Sequence, residues 1–198
     1  CNVLVYPVDT GMVTDTKVRT DLKVMKGTHN MTKGPAMTRE EAIRGIMAGV
    51  TAAAELKAKG YQILATGEMG IGNTTTSSAV ASVLLNQPVE TMTGRGAGLT
   101  SEGLSRKVAA IKKAIELNNP DPADPVDVLA KVGGLDIAGM TGVFLGGAAL
   151  HMPVLMDGFI SCVAALIAIK LCPTAGDYIL ASHVSKEPAA HLILEQMG

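Results

Sequence analysis

Past Thr38 the apolar positions recur at helical spacing, with Ile43, Ile46, Met47, Val50, Ala54 and Leu56 falling on one stripe. Thr38-Arg39-Glu40-Glu41 reads as a capping box in front of that helix, and Gly60 as its left-handed stop. Gln62 to Thr66 is strand-like and ends in Gly67-Glu68, after which a glycine-rich turn opens a helix over Thr74 to Leu85. A second glycine cluster, Gly94-Arg95-Gly96-Ala97-Gly98, precedes a helix from Ser101 to Leu117 with the stripe Leu104, Val108, Ile111 and Ile115. Prolines make Asn119 to Asp127 a connector, and helical patterns cover Pro125 to Lys131 and Asp136 to Leu150. Pro153 to Met156 is a strand ending at Asp157-Gly158, Ile160 to Leu171 a helix, and Tyr178 to Ala181 a strand ending at Ser182-His183; the chain is helical again from Pro188. Ahead of all this, Asn2 to Val8 is a short β-rich run ending at Asp9, followed by an irregular stretch dotted with Gly11, Gly27, Gly34 and Pro35. A loop of that length in a compact domain is usually functional or disordered.

Strands alternating with helices predict an α/β fold: a three-layer, Rossmann-like, mostly parallel sheet with helices on both faces, formed by residues 1–198 as a single domain. The expected strands finish at their carboxyl ends in polar groups, Asp9, Glu68, Asp157 and Ser182-His183. In open sheets of this kind, ligands bind outside those ends.

Composition narrows the choice of ligand. With 17 basic against 18 acidic side chains the net charge is −1, which argues against a nucleic-acid partner, since phosphates are met by clustered lysine and arginine. Aromatics make up only 3%, so stacking on RNA bases lacks material, and the core must come from aliphatics, alanine and methionine. The longest apolar run, Phe159 to Leu171, is too short to cross a bilayer, and no signal-peptide pattern opens the sequence. Cys1, Cys162 and Cys172 show no CxxC spacing, so neither a disulfide framework nor a zinc site is indicated and a cytoplasmic location fits. A first residue of Cys in place of Met points to a piece of a longer polypeptide. Met12, Met25, Met31 and Met37 are read as packing residues in preference to a soft ligand lining, and His29 as surface.

The sharpest chemical motif is Gly67-Glu-Met-Gly-Ile-Gly-Asn-Thr-Thr-Thr76. A glycine turn opening a helix suits a phosphate, because the backbone can approach closely and the helix dipole favours an anion. Two nucleotide signatures fail: asparagine stands where a Walker A loop has lysine, and Gly70-Ile-Gly72 lacks the third glycine of a dinucleotide fingerprint. A plain Asn/Thr cap after a tight turn is the alternative. Gly94 to Gly98 looks like a second ligand loop, with Arg95 as a bidentate anion donor; a mobile hairpin is equally open. Lys107 sits at the edge of the Leu104 and Val108 stripe, where most lysines are solvated. Asp157 lies between apolar neighbours, where a carboxylate is costly unless partnered, or else it caps the helix from Phe159. Ser185, ahead of Lys186-Glu187-Pro188, is either a site residue or a cap.

Glu68-Met-Gly-Ile-Gly-Asn-Thr-Thr, Thr93-Gly-Arg-Gly-Ala-Gly-Leu, Gly133-Gly-Leu-Asp-Ile-Ala-Gly-Met, Pro153-Val-Leu-Met-Asp-Gly-Phe and Ser182-His-Val-Ser-Lys-Glu-Pro together closely resemble the nicotinate-nucleotide:dimethylbenzimidazole phosphoribosyltransferase family of cobalamin synthesis. The likeness runs nearly the whole chain. It implies transfer of the phosphoribosyl group of nicotinate mononucleotide to 5,6-dimethylbenzimidazole, giving α-ribazole 5′-phosphate and nicotinate with inversion at the anomeric carbon. No metal and no cofactor is implied, and a homodimer is. By the same resemblance Glu68 belongs to the nucleotide site and assists the chemistry, while Gly70, Gly72, Asn73, Thr74, Gly94, Arg95, Gly96, Lys107, Asp157 and Ser185 surround the ribose phosphate. Family members also carry an amino-terminal portion that shapes the base pocket and a later Gly-Glu-Gly segment supplying the general base. Neither lies in these 198 residues, so the resemblance implies weak or no turnover by this chain alone, general-base help being worth ~10²–10⁴-fold. Turnover at the rate of a full-length relative would refute that. A non-catalytic phosphate-ligand module of the same fold, and a scaffold with purely structural glycine turns, are the other readings.

Overall fold

A computed structural model of the chain describes residues 3–69 and 71–197. Eight α-helices are described: α1 (Arg39–Ala58), α2 (Asn73–Leu84), α3 (Val89–Met92), α4 (Ser101–Asn118), α5 (Pro125–Val132), α6 (Leu135–Ala149), α7 (Phe159–Leu171) and α8 (Pro188–Met197). The strands are β1 (Leu64–Ala65), β2 (Val154–Met156) and β3 (Ile179–Ala181), and a 3₁₀ turn spans Pro173–Tyr178. The fold is α/β, with a small parallel sheet of order β1-β2-β3 among many helices. Leu64 lies opposite Val154, and Leu155 opposite Leu180. In β2, the middle strand, Val154 and Met156 are fully buried, while β3 is a half-exposed edge.

Local signals behave as expected at the start of α1, where the Thr38 hydroxyl accepts from Glu41 N and the Glu41 carboxylate accepts from Thr38 N. Gly60 has φ +90°, the conformation that stops the helix. The short helix α3 has no counterpart in the hydrophobic pattern.

Three expectations are corrected. The β-rich run ending at Asp9 forms no strand among its described residues: Val8 makes one isolated parallel bridge to Arg19, and Val3 and Val5 are more than 80% exposed. β-propensity expresses packing on a half-buried pleat, and here there is no pleat to join. The stripe on α1 is also misplaced. The face turned inward carries Gly45, Ile46, Gly49, Ala52 and Ala53, and leaves Ile43 and Met47 exposed. It packs on α6 so closely that a Cβ on Gly49 would stand 1.9 Å from the Gly139 carbonyl oxygen, and one on Gly142 1.8 Å from that of Ile46. Small residues win the interface because they let the two backbones meet. Third, the buried face of α4 is Gly103, Lys107, Ile111, Ala114 and Asn118, with Leu104, Val108 and Ile115 only half-buried.

Asp9 is thus not a strand tip, and instead it organises the early loop. Its buried carboxylate accepts from Gly11 N, Met12 N, Thr16 Oγ1 and Lys23 Nζ at 2.7 to 3.1 Å. Thr10 Oγ1 then donates to Leu135 O, seating the loop on the start of α6. Met31 and Met37 are buried, as packing residues should be, and Met12 is exposed.

Candidate active site

The carboxyl ends of three parallel strands fall on one edge of the sheet, and the chain leaves them as Gly67-Glu68, Asp157-Gly158 and Ser182-His183. Thr66 N donates to Leu155 O, and Ser182 N and Oγ donate to Met156 O, which ties the three exits together. Beneath them Thr66 Oγ1 and Ser161 Oγ are 3.0 Å apart.

From Gly72, whose φ is +90° with no atom near a would-be Cβ, the chain turns straight into α2. Asn73 Nδ2 donates at 2.6 Å both to Glu68 Oε2 and to Asp136 Oδ2, so one amide holds two carboxylates at the site. Gly70 lies outside the described residues. Helices α2 and α7 begin at glycine N-caps, Gly72 and Gly158, with no side-chain cap; α6 also begins at a glycine, Gly134, but there the Asp136 carboxylate accepts from Ile137 N. Helices α1, α4 and α5, in contrast, are capped by Thr38, Thr100 and Asp124. An uncapped start presents main-chain N–H groups and the positive end of the helix dipole to whatever lies before it.

Lys107 joins the two glycine turns. It is only 7% exposed, and its ammonium donates to Thr74 Oγ1 at 2.9 Å and to Gly94 O at 3.0 Å. The sequence puts it at the rim of an apolar stripe; the structure puts it in the middle of the buried face of α4. Burial pushes it below the usual lysine range, and the Glu187 charge works against that shift. The second turn is pinned from the far end of the chain, where Gly96 N donates to Glu187 Oε1 at 2.9 Å. A Cβ on Gly94 would lie 2.1 Å from Glu187 Oε2 and 2.8 Å from Pro188 Cδ.

Arg95 is exposed and donates to Leu99 O and Ser101 Oγ, bracing its own loop. Asp157 is exposed and does not cap α7, whose N-cap is Gly158, so the apolar burial and the cap expected for it are both corrected. Ser185 is half-buried and its hydroxyl accepts from Glu187 N at 3.3 Å, just ahead of α8. Burial pushes the Cys162 thiol, in the second turn of α7, up to about 11. Asp136 and Glu187 lie inside the sequence motifs, yet their residue types and spacing alone assign neither of them a role. The one available signal for Asp136 is an acidic residue in the first turn of a helix opened by Gly-Gly.

Chemically, this edge combines a buried ammonium, main-chain donors at uncapped helix starts and carboxylates from Glu68, Asp136 and Asp157. Such a set suits an anion bonded to a polyhydroxyl group that carries positive charge nearby. Among the described residues no group of three or more His, Cys, Asp or Glu is arranged to hold a metal ion, and no helix is long and apolar enough to cross a membrane.

The chain belongs to the phosphoribosyltransferase family, whose model matches residues 1–198. Among similar proteins is the nicotinate-nucleotide--dimethylbenzimidazole phosphoribosyltransferase of Ruminiclostridium cellulolyticum, 58% identical over 175 residues that make up 88% of this chain and 50% of the relative. The enzyme of the same name from Acetivibrio thermocellus is 55% identical over 176 residues, 89% of this chain and 50% of that one. The crystal structure of CobT from Thermus thermophilus superposes with a TM-score of 0.87 at 39% identity, over 98% of this chain and 57% of that chain. The chain spans about half the length of the curated relatives it matches.

Proposed function

We propose that this chain forms the nucleotide-binding core of an enzyme that transfers the phosphoribosyl group of nicotinate mononucleotide to 5,6-dimethylbenzimidazole. The observation that carries the reading is Lys107, a buried ammonium bonded at once to Thr74 of the first glycine turn and Gly94 of the second. Lysine, the start of α2 and the Gly94–Gly96 turn hold the 5′-phosphate. Glu68 and Asp157 receive ribose hydroxyls or face the positive charge that develops at C1′, and Asp136, fixed by Asn73, joins them. In the reaction a benzimidazole nitrogen forms a bond to C1′ as the bond from C1′ to the pyridine nitrogen breaks. The electron pair returns to the pyridine ring, nicotinate leaves, and the azole proton is taken up by a base. Carboxylates beside C1′ lower the barrier by meeting charge where it grows.

The names borne by the relatives support the two substrates. A cytoplasmic homodimer belongs to the same reading. Exposed aliphatic side chains such as Ile43 and Met47 support the dimer, and a mass measurement in solution tests it. Calorimetric titration with nicotinate mononucleotide tests the site. Lys107→Ala should weaken binding by roughly 10- to 100-fold, the worth of a charge-assisted hydrogen bond, without unfolding the protein. Unchanged affinity would remove the phosphate assignment.

A further inference from the structure

We propose that Glu187 is a positioning residue of the nucleotide site: its carboxylate fastens the Gly94–Gly96 turn over Lys107 and supplies the counter-charge to that lysine's buried ammonium. This rests on reading the turn as part of the phosphate cradle, and the geometry is specific. Glu187 Oε1 accepts from Gly96 N across 91 positions of chain. Glu187 Oε2 is buried, has no hydrogen-bond donor, and fills the place where a Cβ on Gly94 would stand. The carbonyl of that same glycine accepts from Lys107 Nζ. Both charges therefore rest against Gly94 without closing an ion pair, since the ammonium takes Thr74 and Gly94 as its acceptors.

A buried carboxylate oxygen lacking a donor is costly, and so is a buried ammonium. Each offsets the other's cost through its field, and Glu187 is the charged group whose field acts on Lys107. The glycine at position 94 is then required by the segment after β3, with Pro188 packed beside the carboxylate. A phosphate reaching the turn meets a lysine already charged and held, and does not have to order it during binding.

The test uses two readouts on the 198-residue chain. In protein labelled with ¹³C-lysine, the Lys107 Cε resonance, assigned by its loss in Lys107→Arg, is titrated with pH. Glu187→Gln keeps the acceptor for Gly96 N but removes the charge, and should lower the Lys107 midpoint by about one unit, as loss of a nearby opposite charge does. A midpoint unchanged in folded Glu187→Gln overturns the proposal. Should that variant fail to fold, Glu187→Asp draws the charge back by a methylene and should still lower the midpoint; an unmoved midpoint there overturns it equally. The second readout is affinity for nicotinate mononucleotide, expected to fall about tenfold in Glu187→Gln at pH 9 and less at pH 7. Equal affinity at both pH values also counts against the proposal. If the unaltered chain does not bind the nucleotide while the midpoint still shifts, the nucleotide reading fails and the Glu187–Lys107 coupling stands.

Discussion

Glycine does different work in two regions of this molecule. Between α1 and α6, Gly49 and Gly142 face main-chain atoms of the opposite helix, which cannot retreat without separating the helices. At the edge of the sheet, Gly94 faces the end of a glutamate side chain and a proline ring, Gly96 faces the Thr74 hydroxyl, and Gly72 faces open space. In the first region the missing Cβ is a packing requirement. In the second it serves conformation and the seating of particular polar groups. A glycine-rich stretch is thus evidence of a ligand loop only when what lies opposite it is known.

The largest effect should come from the helix pair. Gly142→Val forces backbone from backbone and should destabilise by about 3 kcal/mol or more, seen as a fall in Tm or failure to fold. A loss under about 1 kcal/mol would show that the helices separate easily and would erase the contrast. Gly94→Ala meets movable atoms and should cost roughly 1–2 kcal/mol of stability. Its effect should be less than additive with Glu187→Ala, because the two share one clash. Strict additivity would mean that the carboxylate does not rest against Gly94.

Asp9 tests whether the early loop is held by charge. Burial alone would raise its pKa, but the hydrogen bonds from Met12 N, Lys23 and Thr16 hold the carboxyl below the usual aspartate range. Since the folded value is the lower one, its contribution is present above about pH 4 and is lost as pH falls through the folded value. Asp9→Asn should cost about 1–2 kcal/mol at pH 7, with the gap to the unaltered protein closing in acid. A gap that stays constant down to pH 3 would assign the loss to packing. The smallest effect is Thr38→Ala, which removes the capping-box hydroxyl at the start of α1 and should cost about 1 kcal/mol with nucleotide affinity unchanged.

Much of the candidate site was legible because its pieces carry local sequence signals. The turns before Asn73 and at Gly94 to Gly98 are marked by their own glycines, and the strand ends at Glu68 and Asp157 by the change from apolar to polar positions. Arg95 shows the limit: an arginine in a glycine loop looks like an anion donor, yet here it braces Leu99 and Ser101. Lys107 shows it again, since a stripe drawn through Leu104 and Val108 misses the inward face by about one position.

By itself the sequence determined where α1 starts and stops, the alternation that makes the fold α/β, and which motifs carry polar groups out of the strands. Those outcomes depend on caps, glycine torsions and periodicity, which act between near neighbours in the chain. Tertiary structure alone decided that Asn73 bridges Glu68 to an Asp136 that lies 63 positions beyond Asn73 itself, that Glu187 fastens Gly96, that Lys107 is buried, and that residues 3–7 join no sheet. Burial and electrostatic partnership are properties of a place in the folded molecule, and a side chain acquires them only when distant segments close around it.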